Sequence, residues 1–210
     1  MKKILLVLSL LFALAACQVA RAAPNDGRVT TRDAASATYK IVAYDRNPFE
    51  GGEGQWSGTA WKLSDTYMVT AGHVCHPHLG FPPVFRVQNV GGQSWPVAVV
   101  KYELDDEKDL CLLRASVPGE SLPLAIEPAF DQAVFYTGAP HGIWGDGVRP
   151  VYHGHYAGGN VVIIGGAPGA SGSAVLTEHG VMGVLVAGIE SGNIIFVVSV
   201  SDLRDFLKGT

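Results

Sequence analysis

The 210-residue sequence has only three cysteines and no uninterrupted apolar run of the roughly 20 residues that a membrane-spanning helix needs. A disulfide-dense scaffold and a helical membrane protein are both excluded. Charge is also sparse, and none of it is gathered into a basic cluster: 15 Lys and Arg stand against 19 Asp and Glu, for a net charge of -4. Nucleic-acid binding therefore has no electrostatic support. What the chain does have is 26 glycines and 12 prolines set among 48% hydrophobic residues, the composition of a globular protein with many turns. Its length is enough to bury a core without a metal or disulfide, as one domain or two packed subdomains.

The first residues read as an address rather than as structure. Lys2 and Lys3 form a positive start, and Ile4 to Ala16 is an apolar run of the length found in signal peptides. Its end, Leu14-Ala15-Ala16-Cys17, resembles the lipobox of bacterial lipoproteins, in which the cysteine thiol is acylated and the leader is cut before it. That resemblance implies a signal peptide over 1–16, lipidation of Cys17 and a membrane anchor in the cell envelope, on the outer membrane or its periplasmic face. Ala20-Arg21-Ala22 is a competing site for ordinary signal cleavage, which would release a soluble periplasmic or secreted protein. Residues 17–36, polar and without periodicity, read as a tether.

From residue 37 onward the pattern is short β-branched and aromatic runs divided by Gly, Pro, Asn and Asp. Strands are expected at 38–43, 57–63, 67–70, 84–90, 95–101 and 110–114, then at 132–137, 148–156, 160–164, 173–176, 181–188 and 194–199. Between the two groups, Pro118, Pro123 and Pro128 interrupt any regular strand and suit a surface connector over 118–130. Ser201 to Lys208 reads as a short amphipathic helix. The expectation is all-β: two six-stranded antiparallel barrels, at 37–117 and 131–210, with a C-terminal helix on the second.

Three short segments carry residues capable of chemistry. Thr70-Ala71-Gly72-His73 places an imidazole after a strand among small residues. Asp109 opens the apolar strand Leu110-Cys111-Leu112-Leu113 at the end of a charged loop. Gly165 to Gly172 holds Ser171 in a glycine-rich turn between two apolar strands. A serine hydroxyl is inert unless a base takes its proton, and that base needs an acid on its other nitrogen to fix its tautomer. Glycines beside such a serine leave backbone N–H groups free to face a developing oxyanion.

In order and context these segments resemble the three catalytic blocks of the chymotrypsin and trypsin-like serine peptidases, whose chain order is His, Asp, Ser. The resemblance implies that Ser171 is the nucleophile, His73 the general base and Asp109 its orienting acid, with the N–H groups of Gly169 and Ser171 as the oxyanion hole. It implies peptide-bond hydrolysis of a polypeptide substrate through an acyl-enzyme, without cofactor or metal. A catalytically silent peptide-binding protein on the same fold is the rival reading.

The chain departs from the family pattern in two places. Ser57-Gly58-Thr59-Ala60 stands where the usual partner of the histidine-loop cysteine would be, so that disulfide is absent; Cys75 and Cys111 are either bridged to each other or two buried thiols. Ala170 replaces the acid that pairs with a freshly cut N-terminus in animal trypsins, so the oxyanion loop must be shaped by local packing. By the same resemblance, Gly165 falls at the floor of the specificity pocket, with Val186, Ala187, Gly188 and Ile194 along its walls. None of these is acidic, which disfavours cleavage after Lys or Arg; Glu190 is the nearest acid. Cys75-His76-Pro77-His78 with His73 has zinc-ligand types, but crowded into one loop with no second cluster. His141, His153, His155 and His179 read as ordinary surface or core residues.

Overall fold

A computed structural model describes residues 27–46, 53–77, 82–105, 108–189 and 193–209. Cys17, the signal-peptide segment, the first half of the tether, His78 and Glu190 lie outside the described residues. Twelve strands form two closed antiparallel barrels. The first comprises β1 (Thr38–Arg46), β2 (Glu53–Lys62), β3 (Tyr67–Thr70), β4 (Val84–Gln88), β5 (Ser94–Leu104) and β6 (Asp109–Arg114), closed in the order β1-β2-β3-β6-β5-β4. The second comprises β7 (Ala133–Thr137), β8 (Val151–Gly158), β9 (Val161–Ile163), β10 (Ala174–Thr177), β11 (Gly180–Ile189) and β12 (Ile194–Ser199), in the order β10-β11-β12-β9-β8-β7. Closure leaves no edge strand unpaired, and alternation divides each strand between barrel interior and exterior. β5 shows this residue by residue, its burial alternating along its whole length.

Each barrel has its own filling, and a third apolar cluster joins them. Tyr39, Ile41, Met68, Val87 and Leu113 pack inside the first, and Tyr136, Val162, Met182 and Ile195 inside the second. Trp61, Val69 and Leu112 of the first barrel meet Leu176, Val184 and Val198 of the second. Leu203 and Phe206 of the C-terminal helix (Val200–Leu207) pack into that same seam. Ser199 caps this helix through the Asp202 N–H.

The connector runs over the surface and is tied down at intervals. Tyr39 donates its hydroxyl to Pro118 O, Lys62 its ammonium to Gly119 O, and Leu122 its N–H to Lys62 O. One element was not expected. Residues Thr31–Ala37 form a helix, α1, so the stretch read as tether up to residue 36 ends earlier, with Ala34 and Ala37 buried in the inter-barrel cluster. A capping box starts α1, in which Thr30 and Asp33 each accept the other's backbone N–H.

Candidate active site

The histidine segment is a single helical turn, α2 (Gly72–Cys75), entered directly from β3. β3 pairs with β6, setting Thr70 opposite Cys111 and so bringing Asp109 alongside α2. The approach is close enough to require glycine at 72: a Cβ there would stand 2.2 Å from Glu103 O and 2.9 Å from Leu110 N. With that gap closed, the Asp109 carboxylate meets His73 twice. Oδ1 accepts the His73 backbone N–H at 2.7 Å, and Oδ2 lies 2.6 Å from Nδ1. An ionised carboxylate only accepts, so Nδ1 carries the ring proton and Nε2 presents a lone pair. The imidazole is 37% exposed and the carboxylate 18%, which leaves the free ring edge open to the cleft.

α2 is held from two further sides. Trp56 Nε1 donates to Val74 O at 2.8 Å, and Cys75 is disulfide-bonded to Cys111, with 6.4 Å between their α-carbons. Of the two readings of these cysteines, the bridge is the one realised. It joins the residue two beyond His73 to the residue two beyond Asp109, and it removes Cys75 as a thiolate ligand for a metal.

Ser171 reaches this region from the other barrel. Its carbonyl accepts the Thr59 N–H at 2.8 Å, and the next residue, Gly172, nests so tightly against Thr59 O, Thr70 Oγ1 and Ala71 N that a Cβ would overlap them. Ala71 directly precedes α2, so the serine loop abuts the entry to the histidine turn. Among the described residues Ser171 Oγ makes no hydrogen bond, to His73 or otherwise; such contacts are often long before substrate binds.

The loop before Ser171 is fixed by one backbone bond and one close approach. His141 N–H donates to Pro168 O at 2.6 Å, which turns that carbonyl toward the Pro140–Gly142 turn and, across the planar peptide, turns Gly169 N–H the opposite way. Gly169 has φ +93°, and a Cβ on it would stand 2.4 Å from Ala139 O. Neither Gly169 N–H nor Ser171 N–H donates to an acceptor among the described residues. Ala170, between them, is fully buried in the second barrel's core, with apolar packing in place of an ion pair.

Thr59 organises both sides of the site and was not singled out from sequence. Its Oγ1 donates to Gly169 O at 2.9 Å and accepts Ala139 N–H at 3.0 Å; its carbonyl accepts Thr70 Oγ1 at 2.7 Å. Its N–H and hydroxyl therefore reach across to the second barrel, while its carbonyl holds Thr70 within the first. The only sequence signal was its place in Ser57-Gly58-Thr59-Ala60, where a cysteine was missing.

A cleft of about 270 Å³ opens beside Ser171, lined by Gly166, Ala167, Pro168, Leu185, Ala187 and Gly188. Of the residues placed in the pocket from sequence, Ala187 and Gly188 line it. Gly165, Val186 and Ile194 do not. Gly165 lies just behind, its carbonyl accepting the Tyr136 hydroxyl at 2.7 Å, and Val186 packs between the barrel cores. Ile195 is buried in the second barrel's core behind the lining, its side chain 2.6 Å from where a Cβ on Gly166 would be. Burial first, then the stacked phenol of Tyr152, push the Tyr136 hydroxyl well above its ordinary pKa of 10.0, so it remains a donor.

The architecture is similar to a crystal structure of the serine endoprotease from Yersinia pestis, with a TM-score of 0.64 at 20% identity. The fold is that of the trypsin-like proteases. The match covers 83% of this chain and 62% of that one, so the chain spans less than two thirds of its structural neighbour. The family model for the prokaryotic membrane lipoprotein lipid attachment site matches residues 1–18. The search of curated proteins found no match.

Proposed function

We propose that the chain is an exported serine endopeptidase, held in the cell envelope by acylation of Cys17. The observation that carries the reading is the paired contact of Asp109 with His73, set against a serine loop whose Gly169 and Ser171 N–H groups have no acceptor among the described residues. Asp109 stays ionised and fixes the ring proton on Nδ1. His73 Nε2 takes the proton of Ser171 Oγ as that oxygen attacks the scissile carbonyl carbon. The Gly169 and Ser171 N–H groups receive the oxyanion; one such donor is worth about 3–4 kcal/mol at the transition state. Collapse breaks the C–N bond, His73 returns the proton to the leaving amine, and water repeats the sequence on the acyl-serine.

The pocket supports a small or medium apolar side chain before the scissile bond. Its lining among the described residues carries no charge, and Ile195 packs directly behind Gly166. The exposed end of β11 beyond Leu185 offers the substrate a strand to pair with. The test is a peptide library digested with the wild-type chain and with Ser171→Ala. Expected are cuts after Ala, Val or Leu that vanish in the variant. Cleavage that survives Ser171→Ala removes the nucleophile assignment, and a folded wild-type chain that binds peptides without cutting them supports the silent binding protein.

A further inference from the structure

Two of the large apolar side chains lie nearly bare on a single short stretch of the connector: Ile126 is 77% exposed and Phe130 78%, well above the other exposed hydrophobics. An isolated exposed apolar residue is ordinary. This pair differs in where the stretch sits. The connector is fixed to the β10–β11 turn: Ala125 N–H donates to Val181 O at 2.9 Å, Val181 N–H donates to Pro123 O at 2.8 Å, and Arg204 donates to Ala125 O. The other side of the same turn receives the first described residues of the chain. Val29 N–H donates to Glu178 O at 2.7 Å, and Arg28 pairs with Glu178 at 3.1 Å. The tether therefore enters the domain at the turn that also carries Ala125, on the order of two or three strand spacings, about 10–15 Å, from Ile126.

From Cys17 to Gly27 is ten residues, which span at most about 35 Å when fully extended. An acylated Cys17 would keep this end of the domain within that distance of the bilayer. We infer that the Ile126–Phe130 stretch is a membrane-docking surface, its two apolar side chains entering the lipid interface and setting the domain's orientation on the membrane that holds it. The occupant is a phospholipid surface, because the tether delivers one to this end of the domain. The inference rests on the anchoring reading. The acyl chains supply attachment, and Ile126 and Phe130 add a second contact that limits rotation about the tether.

The chain suits a direct test, because Cys75 and Cys111 are bridged and acylation consumes Cys17. A thiol introduced as Ile126→Cys or Phe130→Cys is then the one free site for an environment-sensitive fluorophore, with Gly91→Cys in the β4–β5 turn as reference. The full lipidated chain is reconstituted in phosphatidylethanolamine and phosphatidylglycerol vesicles, with and without lipids carrying a nitroxide near the acyl carbonyl. Expected is quenching at 126 and 130 at least about twofold greater than at 91. Equal quenching at all three positions, in protein that floats with the vesicles, overturns docking and leaves anchoring intact. Protein that does not float overturns the anchor and docking together. Labels already shielded in detergent, without vesicles, point to a second copy of the chain as the occupant and also overturn it.

Discussion

At the residue scale, the site depends on side chains that do no chemistry themselves. Thr59 is the clearest: one hydroxyl holds Gly169 O and Ala139 N–H together at the barrel junction. Thr59→Val keeps the shape and removes both bonds, leaving a buried donor and a buried acceptor unpaired, at a cost of about 2 kcal/mol of stability. With Gly169 N–H proposed as an oxyanion donor, kcat is expected to fall further than KM rises; an unchanged kcat in folded Thr59→Val protein would show that the loop keeps its shape without this bond. Tyr136 supports the pocket in the same indirect way, through Gly165 O. Its phenol ionises less readily in the folded chain than in the unfolded one. The associated stability is whole below the ordinary value of 10.0 and is lost as pH rises beyond it toward the folded value. Tyr136→Phe is expected to lose about 1 kcal/mol at neutral pH and to show a shallower decline above about pH 10, read from urea midpoints across that range.

At the element scale, α2 and β6 form one unit carrying His73 and Asp109, stapled by the Cys75–Cys111 bridge. The bridge closes a loop of 36 residues, for which chain entropy gives about 4 kcal/mol. The Cys75→Ala, Cys111→Ala double variant is expected to unfold at lower urea by roughly that amount. Its residual activity should fall because α2 loses one of its three ties; full activity in the folded double variant would show that Trp56 and Gly72 suffice to hold the turn. Much of this unit was legible in the sequence. Tyr67–Thr70, like Ile194–Ser199 in the second barrel, matches its sequence reading to both ends, because an apolar run follows turn-forming polar residues directly. The bridge was not decided, since pairing depends on the β3–β6 register, which no local pattern encodes. Helix α1 was missed because Asp33-Ala34-Ala35-Ser36-Ala37 is too short and too uniform to show a helical period; it is fixed by packing under the barrels and by a capping box that uses Asp in place of the usual Glu or Gln. That Val186 packs away from the cleft was hidden for a similar reason. Which inward residue of a strand faces the cleft depends on bulges, and β11 has one between Leu185 and Ala187.

At the scale of the whole molecule, the site exists only where the barrels meet. The first contributes the His73–Asp109 pair, the second Ser171 and its loop, and Thr59 with the Trp61–Leu176 cluster sets one against the other. In the proposed function this division has three separated sequence motifs act as one center; the two-barrel fold itself was legible because each group of six strands is bounded by the proline-rich connector. The proposed chemistry requires Ser171 to be an activated nucleophile. A fluorophosphonate reacts with such a serine and not with ordinary hydroxyls, and the adduct can be located by peptide mass. One adduct per chain is expected, on Ser171, absent from Ser171→Ala and strongly diminished in His73→Ala. A well-folded wild-type chain that remains unmodified, or an adduct that persists in Ser171→Ala, would contradict it.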